Sequence, residues 1–337
     1  MAPGKQGSAK IGKPKIGLAL GAGSARGWAH LGVIKALKEA GIEPDIIAGT
    51  SIGAVVGGCY AADQLATLEG FALGLTRRKV FGYLDFNLAG TGLITGQRLC
   101  ARMTESLGDR HIESLSRSFT AVATEIGTGH ELWLSRGHMV DAIRASYALP
   151  GIFKPVKIND RWLFDGALVN PVPVSVCRAL GARYVIAVNL NTDICGRGTT
   201  ISGDASPQAR RAQDQESAAE VASVGGGAKK LLFRQLFGRG EDVPGISTVM
   251  FDAFNIVQDR IARSRLAGDP PDAMISPRLA GIGSFDFHRA DELIERGLAA
   301  GRREVGDIIA EVKARAVTEQ RHSKGTALEA TLMNGNH

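Results

Sequence analysis

One serine sits between two glycines, in Gly49-Thr50-Ser51-Ile52-Gly53, where the apolar run DIIA gives way to AVV. Gly-x-Ser-x-Gly at a strand-to-helix junction is the spacing of a nucleophile elbow. The chain turns so sharply that residues without side chains, here Gly49 and Gly53, must pass behind the serine, whose hydroxyl then projects alone. A helix beginning at Ile52 adds partial positive charge beneath it, which favours a developing anion. The five-residue pattern alone is unspecific; its place between a strand and a helix gives it weight.

A second loop, Gly21-Ala22-Gly23-Ser24-Ala25-Arg26-Gly27, again separates a strand from a helix. Such a loop aims several backbone N–H groups at one negative oxygen. A dinucleotide fingerprint requires glycine at position 26, where Arg26 stands, and no Gly-Lys-Ser/Thr follows to make a phosphate loop. An oxyanion hole for acyl transfer fits better; the plainer alternative is a packing turn. For a base there are two candidates. Asp165 follows the strand RWLF and precedes Gly166 on a loop at the expected sheet end, against the alternative of an ordinary Asp-Gly turn. His288, opening the last helix, is the only credible histidine in the order Ser, Asp, His, since His322 and His337 fall in the expected tail; against it stands the alternative of a surface helix start.

These residues need a scaffold. IGLAL (16–20) reads as a buried strand, and residues 28–40 as a helix with Trp28, Leu31, Ile34 and Leu37 inward, ended by Gly41. DIIAGT and SIGAVVGGCYAA repeat the strand and helix, so parallel strands with right-handed crossovers follow. FTAVATEI and HELWLS make a strand pair, HMVDAIRASYAL a helix stopped by Pro150, and RYVIAVNL another buried strand. VPGISTVMFDAFNIVQDRIARSRL restores helical periodicity, DAMISP is a late strand, and residues 289–312 form a long terminal helix. The expected architecture is one three-layer α/β/α domain over residues 15–316, with a mostly parallel central sheet and its site at strand ends. Residues 1–14 and 317–337 read as disordered tails, and 191–227 as a mobile insertion too polar for a core.

With 337 residues and 44% apolar content the chain can bury a large core. Its charge of +6 suits an anionic partner. Aromatics are only 6%, and no Lys/Arg tract alternates with Phe or Tyr, so nucleic acid is not that partner. Cys59, Cys100, Cys177 and Cys195 form no Cys-x-x-Cys pair, and no carboxylate and histidine cluster has ligand spacing, so no metal or cofactor is expected. The lysines before residue 16 precede an apolar stretch too short for an export signal. The uncharged run 46–62, about 17 residues long, is broken by glycines and suits a buried turn and helix better than a membrane span. A cytoplasmic protein is expected. KKLLFRQLF (229–237) mixes cationic and bulky apolar residues, as a short helix lying on an anionic inner membrane face would, or a surface helix docked on its own domain.

GAGSARGWAHLGVIKAL, GTSIGA, ASYALPGIF and DGALVNPVPV occur in an order and spacing that resemble the patatin-like phospholipase family, especially its bacterial branch similar to the catalytic domain of neuropathy target esterase. The resemblance covers residues 15–190, with a looser echo in the 243–272 and 284–297 segments. It implies a Ser-Asp dyad without histidine, hence Ser51 as nucleophile and Asp165 as base, with loop donors at Gly23, Ser24 and Arg26. It also implies a phospholipid or lysophospholipid substrate. Loops of this family often carry consecutive glycines, whereas Ala22 and Ser24 intervene here; backbone donors survive such swaps. An aspartate near its ordinary pKa of about 3.9 is a poor acceptor for a serine proton; burial against apolar neighbours is one way to raise its basicity. A carrier-dependent acyltransferase would share the acyl-enzyme, and a noncatalytic lipid-binding protein would have an inert Ser51. A dinucleotide-dependent reductase is the weakest alternative.

Overall fold

Strands whose residues are apolar on both faces must be covered on both faces, and four of this chain are. These are β1 (Ile16–Leu20), β2 (Ile46–Thr50), β3 (Ser118–Glu125) and β7 (Tyr184–Val188), described in a computed structural model that covers residues 14–83, 96–192 and 246–334. Alternate residues divide between two cores. Leu18, Leu20, Ile47, Phe119, Tyr184 and Ile186 point into the larger one, and Ala19, Ala48, Val122, Val185 and Ala187 into the other. The larger core is closed by α1 (Ala29–Glu39), α2 (Ile52–Ala61), α6 (Met139–Ser146) and α9 (Ala290–Asn334); the smaller by α7 (Val174–Ala179) and α8 (Ile246–Gly268). That is the expected three-layer α/β/α arrangement.

The sheet is mixed. Its order is β5-β6-β3-β2-β1-β7-β8, with β4 (Glu131–Leu134) also paired to β3; β5 is Val156–Ile158, β6 Arg161–Asp165 and β8 Ala273–Ile275. The run β3-β2-β1-β7-β8 is parallel, and β4, β5 and β6 are antiparallel additions. Short connections explain those additions. Asn159 and Asp160, both at positive φ (48° and 63°), make the tight turn that joins β5 to β6 as a hairpin.

Among elements not foreseen from the sequence, α3 (Leu65–Leu73), α4 (Arg77–Tyr83) and α5 (Gln97–Leu107) follow α2, and only α5 carries a clear stripe, burying Met103 and Leu107. The last helix continues to Asn334, beyond residue 316 where a disordered tail was expected. Residues 317–334 lose apolar periodicity but hold no proline to stop the helix. Residues 1–13 of the expected leading tail, most of the expected insertion (193–227) and the 229–237 segment lie outside the described residues. Among the described residues no helix is long and apolar enough to cross a membrane.

Candidate active site

The sheet register brings two residues far apart in sequence together. Ala121 and Val122 pair with both β2 and β4, while Ala123 and Thr124 pair with both β4 and β6. A strand has only two edges, so β2 and β6 share one edge of β3, approaching each other end to end. Thr50 is opposite Val122 and Asp165 is opposite Ala123, adjacent positions on β3. The first residue beyond β2 and the last residue of β6 therefore meet. They are Ser51 and Asp165.

Ser51 has φ 57° and ψ −122°, a strained conformation for a residue with a side chain, and it precedes α2 directly. The sharpness of this turn requires glycine at 53, where a Cβ would lie 2.1 Å from the Leu20 carbonyl oxygen. The Ser51 N–H donates to Ser146 Oγ (3.0 Å), and the Ser146 hydroxyl in turn donates to the Val122 carbonyl (2.6 Å). Thr50 Oγ1 donates to the Asn170 carbonyl at 2.8 Å. The elbow is thus tied to the sheet from both sides.

The Ser51 hydroxyl donates to Asp165 Oδ2 at 2.7 Å, and Asp165 Oδ1 accepts from the Ala167 N–H at 2.9 Å. Main-chain bonds hold the aspartate in place: its N–H donates to the Ala148 carbonyl (3.0 Å) and its carbonyl accepts from Thr124 Oγ1 (2.9 Å). Gly166 follows because a Cβ there would lie 2.2 Å from the Val122 carbonyl oxygen. Asp165 is only 2% exposed, and no cation is among the groups that set its acidity. Burial pushes its carboxyl up to about 7, against the smaller opposing effects of the Ala167 and Ser51 hydrogen bonds. The basicity that the sequence left wanting is supplied by desolvation.

The glycine loop leaves β1 beside this pair. Its Gly21, Ala22 and Ala25 N–H groups donate to the carbonyls of Val188, Pro171 and Ser284. The Arg26 N–H, an expected oxyanion donor, is instead bonded to the Gly23 carbonyl at 3.2 Å, because residues Ser24–Trp28 close into a 3-10 turn. The Arg26 side chain is buried and also turns back on the loop, donating from Nε to Gly23 O (3.3 Å) and from Nη2 to Ser284 Oγ (3.2 Å). Among the described residues no protein carbonyl takes up the N–H groups of Gly23 and Ser24. Ser24 itself lies at φ 51°.

Other candidates fall elsewhere. His288 Nε2 accepts from Arg77 Nε at 3.0 Å, and the partner of the Ser51 hydroxyl is Asp165. Cys59 and Cys177 are buried thiols pushed up to about 12 by desolvation, and Cys195 is outside the described residues. Among the described residues no group of three or more His, Cys, Asp or Glu is arranged to hold a metal ion. An apolar cleft lined by Leu149, Ile152, Met250, Phe251 and Phe254 opens next to Ala148, whose carbonyl holds Asp165. Two contributors went unnoticed in the sequence, Ser146 and Thr124. Ser146 had a signal: it is a polar residue on the buried face of α6, in line with Met139 and Ile143.

With this geometry in view, similarity to known proteins is informative. Residues 18–178 match the family model described as patatin-like phospholipase. The chain belongs to the patatin-like phospholipase family. Within it, an NTE family protein of Mycobacterium tuberculosis is 33% identical over 331 residues, 85% of this chain and 90% of that protein. A lysophospholipase of Aspergillus fumigatus is 29% identical over 299 residues, which are 86% of this chain but only 18% of that much longer protein. A crystal structure of VipD from Legionella pneumophila aligns over 89% of this chain and 67% of its own, with TM-score 0.41 and 13% identity.

Proposed function

We propose that this protein is a serine-dependent lipid acyl hydrolase, of the phospholipase or lysophospholipase type, working through a Ser51-Asp165 dyad. The observation that carries this reading is the 2.7 Å bond from the Ser51 hydroxyl to a carboxylate buried enough to be basic near neutral pH. Asp165 accepts the hydroxyl proton as Ser51 Oγ attacks the ester carbonyl. The tetrahedral oxyanion rests on the Gly23 and Ser24 N–H groups, in the partial positive field at the start of α2. Collapse breaks the ester bond; the departing alkoxide takes the proton from Asp165 and leaves the acyl group on Ser51. Water then gives a proton to Asp165 as its oxygen attacks the acyl carbonyl; collapse breaks the bond to Ser51 Oγ, which takes that proton back from Asp165, and the fatty acid leaves.

Lipid rather than small-ester specificity is supported by the apolar cluster of Leu149, Ile152 and Phe251, which begins one residue past Ala148 and offers an acyl chain an apolar surface. The family membership points the same way. The test is a fluorophosphonate probe together with hydrolysis of a lipid panel. Wild type should be labelled and should release fatty acid, and Ser51→Ala should do neither. Labelling that persists in Ser51→Ala removes Ser51 from the mechanism, and an unlabelled, inactive wild type leaves a noncatalytic lipid-binding protein. Product transfer to an added alcohol in place of water would make it an acyltransferase.

A further inference from the structure

Three successive carbonyls of the glycine loop each receive a hydrogen bond from a buried side chain. The Gly21 oxygen takes one from His30 Nε2 (2.8 Å), the Ala22 oxygen from Asn191 Nδ2 (3.3 Å) and the Gly23 oxygen from Arg26 Nε (3.3 Å). A carbonyl only accepts, so Nε2 of His30 carries the proton, and burial, lowering this imidazole to about 4, keeps it neutral. The three donors come from α1, from the chain beyond β7 and from the loop itself. They converge on three consecutive peptides, although none of them has a place in the proton transfers above.

In a trans peptide the C=O of one residue and the N–H of the next lie in one rigid plane and point in opposite directions. Holding the oxygen therefore aims the hydrogen. The Ala22 carbonyl shares its plane with the Gly23 N–H, and the Gly23 carbonyl shares its plane with the Ser24 N–H. These are the two N–H groups left without a protein carbonyl among the described residues. The His30 bond governs the Ala22 N–H, which the Pro171 carbonyl already holds at 2.9 Å. The loop needs such restraint, because Ser24 at φ 51° occupies a region that residues with side chains leave when they are free to do so.

Asn191 is delivered to its post by a local turn. Its N–H donates to Asn189 Oδ1 at 3.1 Å, and the Asn189 N–H donates to the Ile275 carbonyl at 3.1 Å, extending the β7–β8 pairing past the end of β7. Asn191 is 3% exposed, and its Oδ1 has no hydrogen-bond partner among the described residues. A buried amide with one end unsatisfied calls for an explanation, and aiming the 22–23 peptide is one.

We infer that Asn191 is a positioning residue for the oxyanion hole: its amide grips the Ala22 carbonyl and so points the Gly23 N–H at the oxyanion, while the Arg26 side chain does the same for Ser24. Arg26 thus serves the hole through its grip on Gly23, and the Ser284 hydroxyl steadies it. This inference rests on the proposed hydrolase reading and adds to it a role for a side chain 140 positions from the nucleophile.

Asn191→Leu removes the donor at similar volume and is the decisive variant. Four quantities are measured: kcat and KM on a soluble short-chain ester, affinity for a trifluoromethyl ketone whose tetrahedral adduct places its oxygen in the hole, and the thermal unfolding midpoint. A misaimed donor should lower kcat about ten- to a hundredfold. KM should stay within about twofold, and ketone affinity should fall in parallel with kcat, since only the tetrahedral species uses the hole. Asn191→Ala adds no bulk and carries the same expectation should the leucine variant not fold. Wild-type kcat and ketone affinity in a folded variant overturn the inference, as does a rise in KM at constant kcat. Failure of the underlying reading looks different: wild-type hydrolysis would then survive Ser51→Ala.

Discussion

Asp165→Asn separates the two consequences of burying a carboxylate, because it should abolish hydrolysis while making the fold more stable at alkaline pH. In the native protein this group titrates near 7, against an ordinary value of 3.8. Its native pKa is therefore raised. Between the two values the folded chain keeps a proton that the unfolded chain has lost, so stability is full below pH 4 and declines as pH rises through 7. The decline approaches about 1.4 kcal/mol per pH unit and sums to a ceiling of about 4 kcal/mol. Asparagine carries no such burden. It also changes the bonds to Ser51 and Ala167, but that change does not depend on pH and cancels when the variant is compared with wild type at two pH values. Urea unfolding at pH 5 and pH 8 gives the double difference. The stability of Asp165→Asn relative to wild type should rise by about 2 to 3 kcal/mol between them, since part of the titration is already complete at pH 5. A double difference within about 0.5 kcal/mol of zero would mean that Asp165 ionises as an exposed aspartate does, and the account of its basicity would be wrong.

The same ionisation should appear in catalysis. The kcat/KM profile for a neutral ester should have a rising limb with its midpoint at about pH 7, and a limb centred near pH 4 would show a base with ordinary acidity. Ser146→Ala removes the acceptor of the Ser51 N–H and the donor to the Val122 carbonyl, leaving two main-chain groups unpaired beside the elbow. Unfolding should become easier by about 1 to 3 kcal/mol and kcat should fall about tenfold or more; unchanged values of both would show that the elbow holds its shape without this hydroxyl.

The pieces of this site that were legible in the sequence are those decided within a few residues. IGLAL and IIAG are apolar throughout because helices cover both faces of β1 and β2, and glycines at 49, 53 and 166 mark places where main chain passes main chain. Asp165 stood out for its place at a strand end. What could not be read was the way those ends meet. That the sheet is mixed, with β6 running antiparallel into the line of β2, depends on which edge of β3 each strand takes, a choice made by pairings between segments about 72 residues apart for β2 and about 40 for β6. The family resemblance implies an oxyanion donor at the Arg26 N–H, yet the 3-10 turn consumes that group locally. The terminal helix outran its expected end because no proline stops it where the apolar periodicity ends.

In the proposed dyad, the end-to-end meeting of β2 and β6 would let one acidic residue serve in place of a histidine. A strand terminus that abuts another strand inside a sheet is shielded by helices above and below, so a side chain there loses water while main-chain donors remain at hand. Asp165 has these surroundings: it is 2% exposed, takes the Ala167 N–H on one oxygen and keeps the other for Ser51. Were the carboxylate moved to solvent it would lose its basicity, and were the Ala167 bond removed the aspartate would lose its orientation along with a bond that favours ionisation. The register that brings the serine and the aspartate together is therefore the same feature that tunes the aspartate, and a substitution that slips β6 by one residue on β3 would cost proximity and basicity at once.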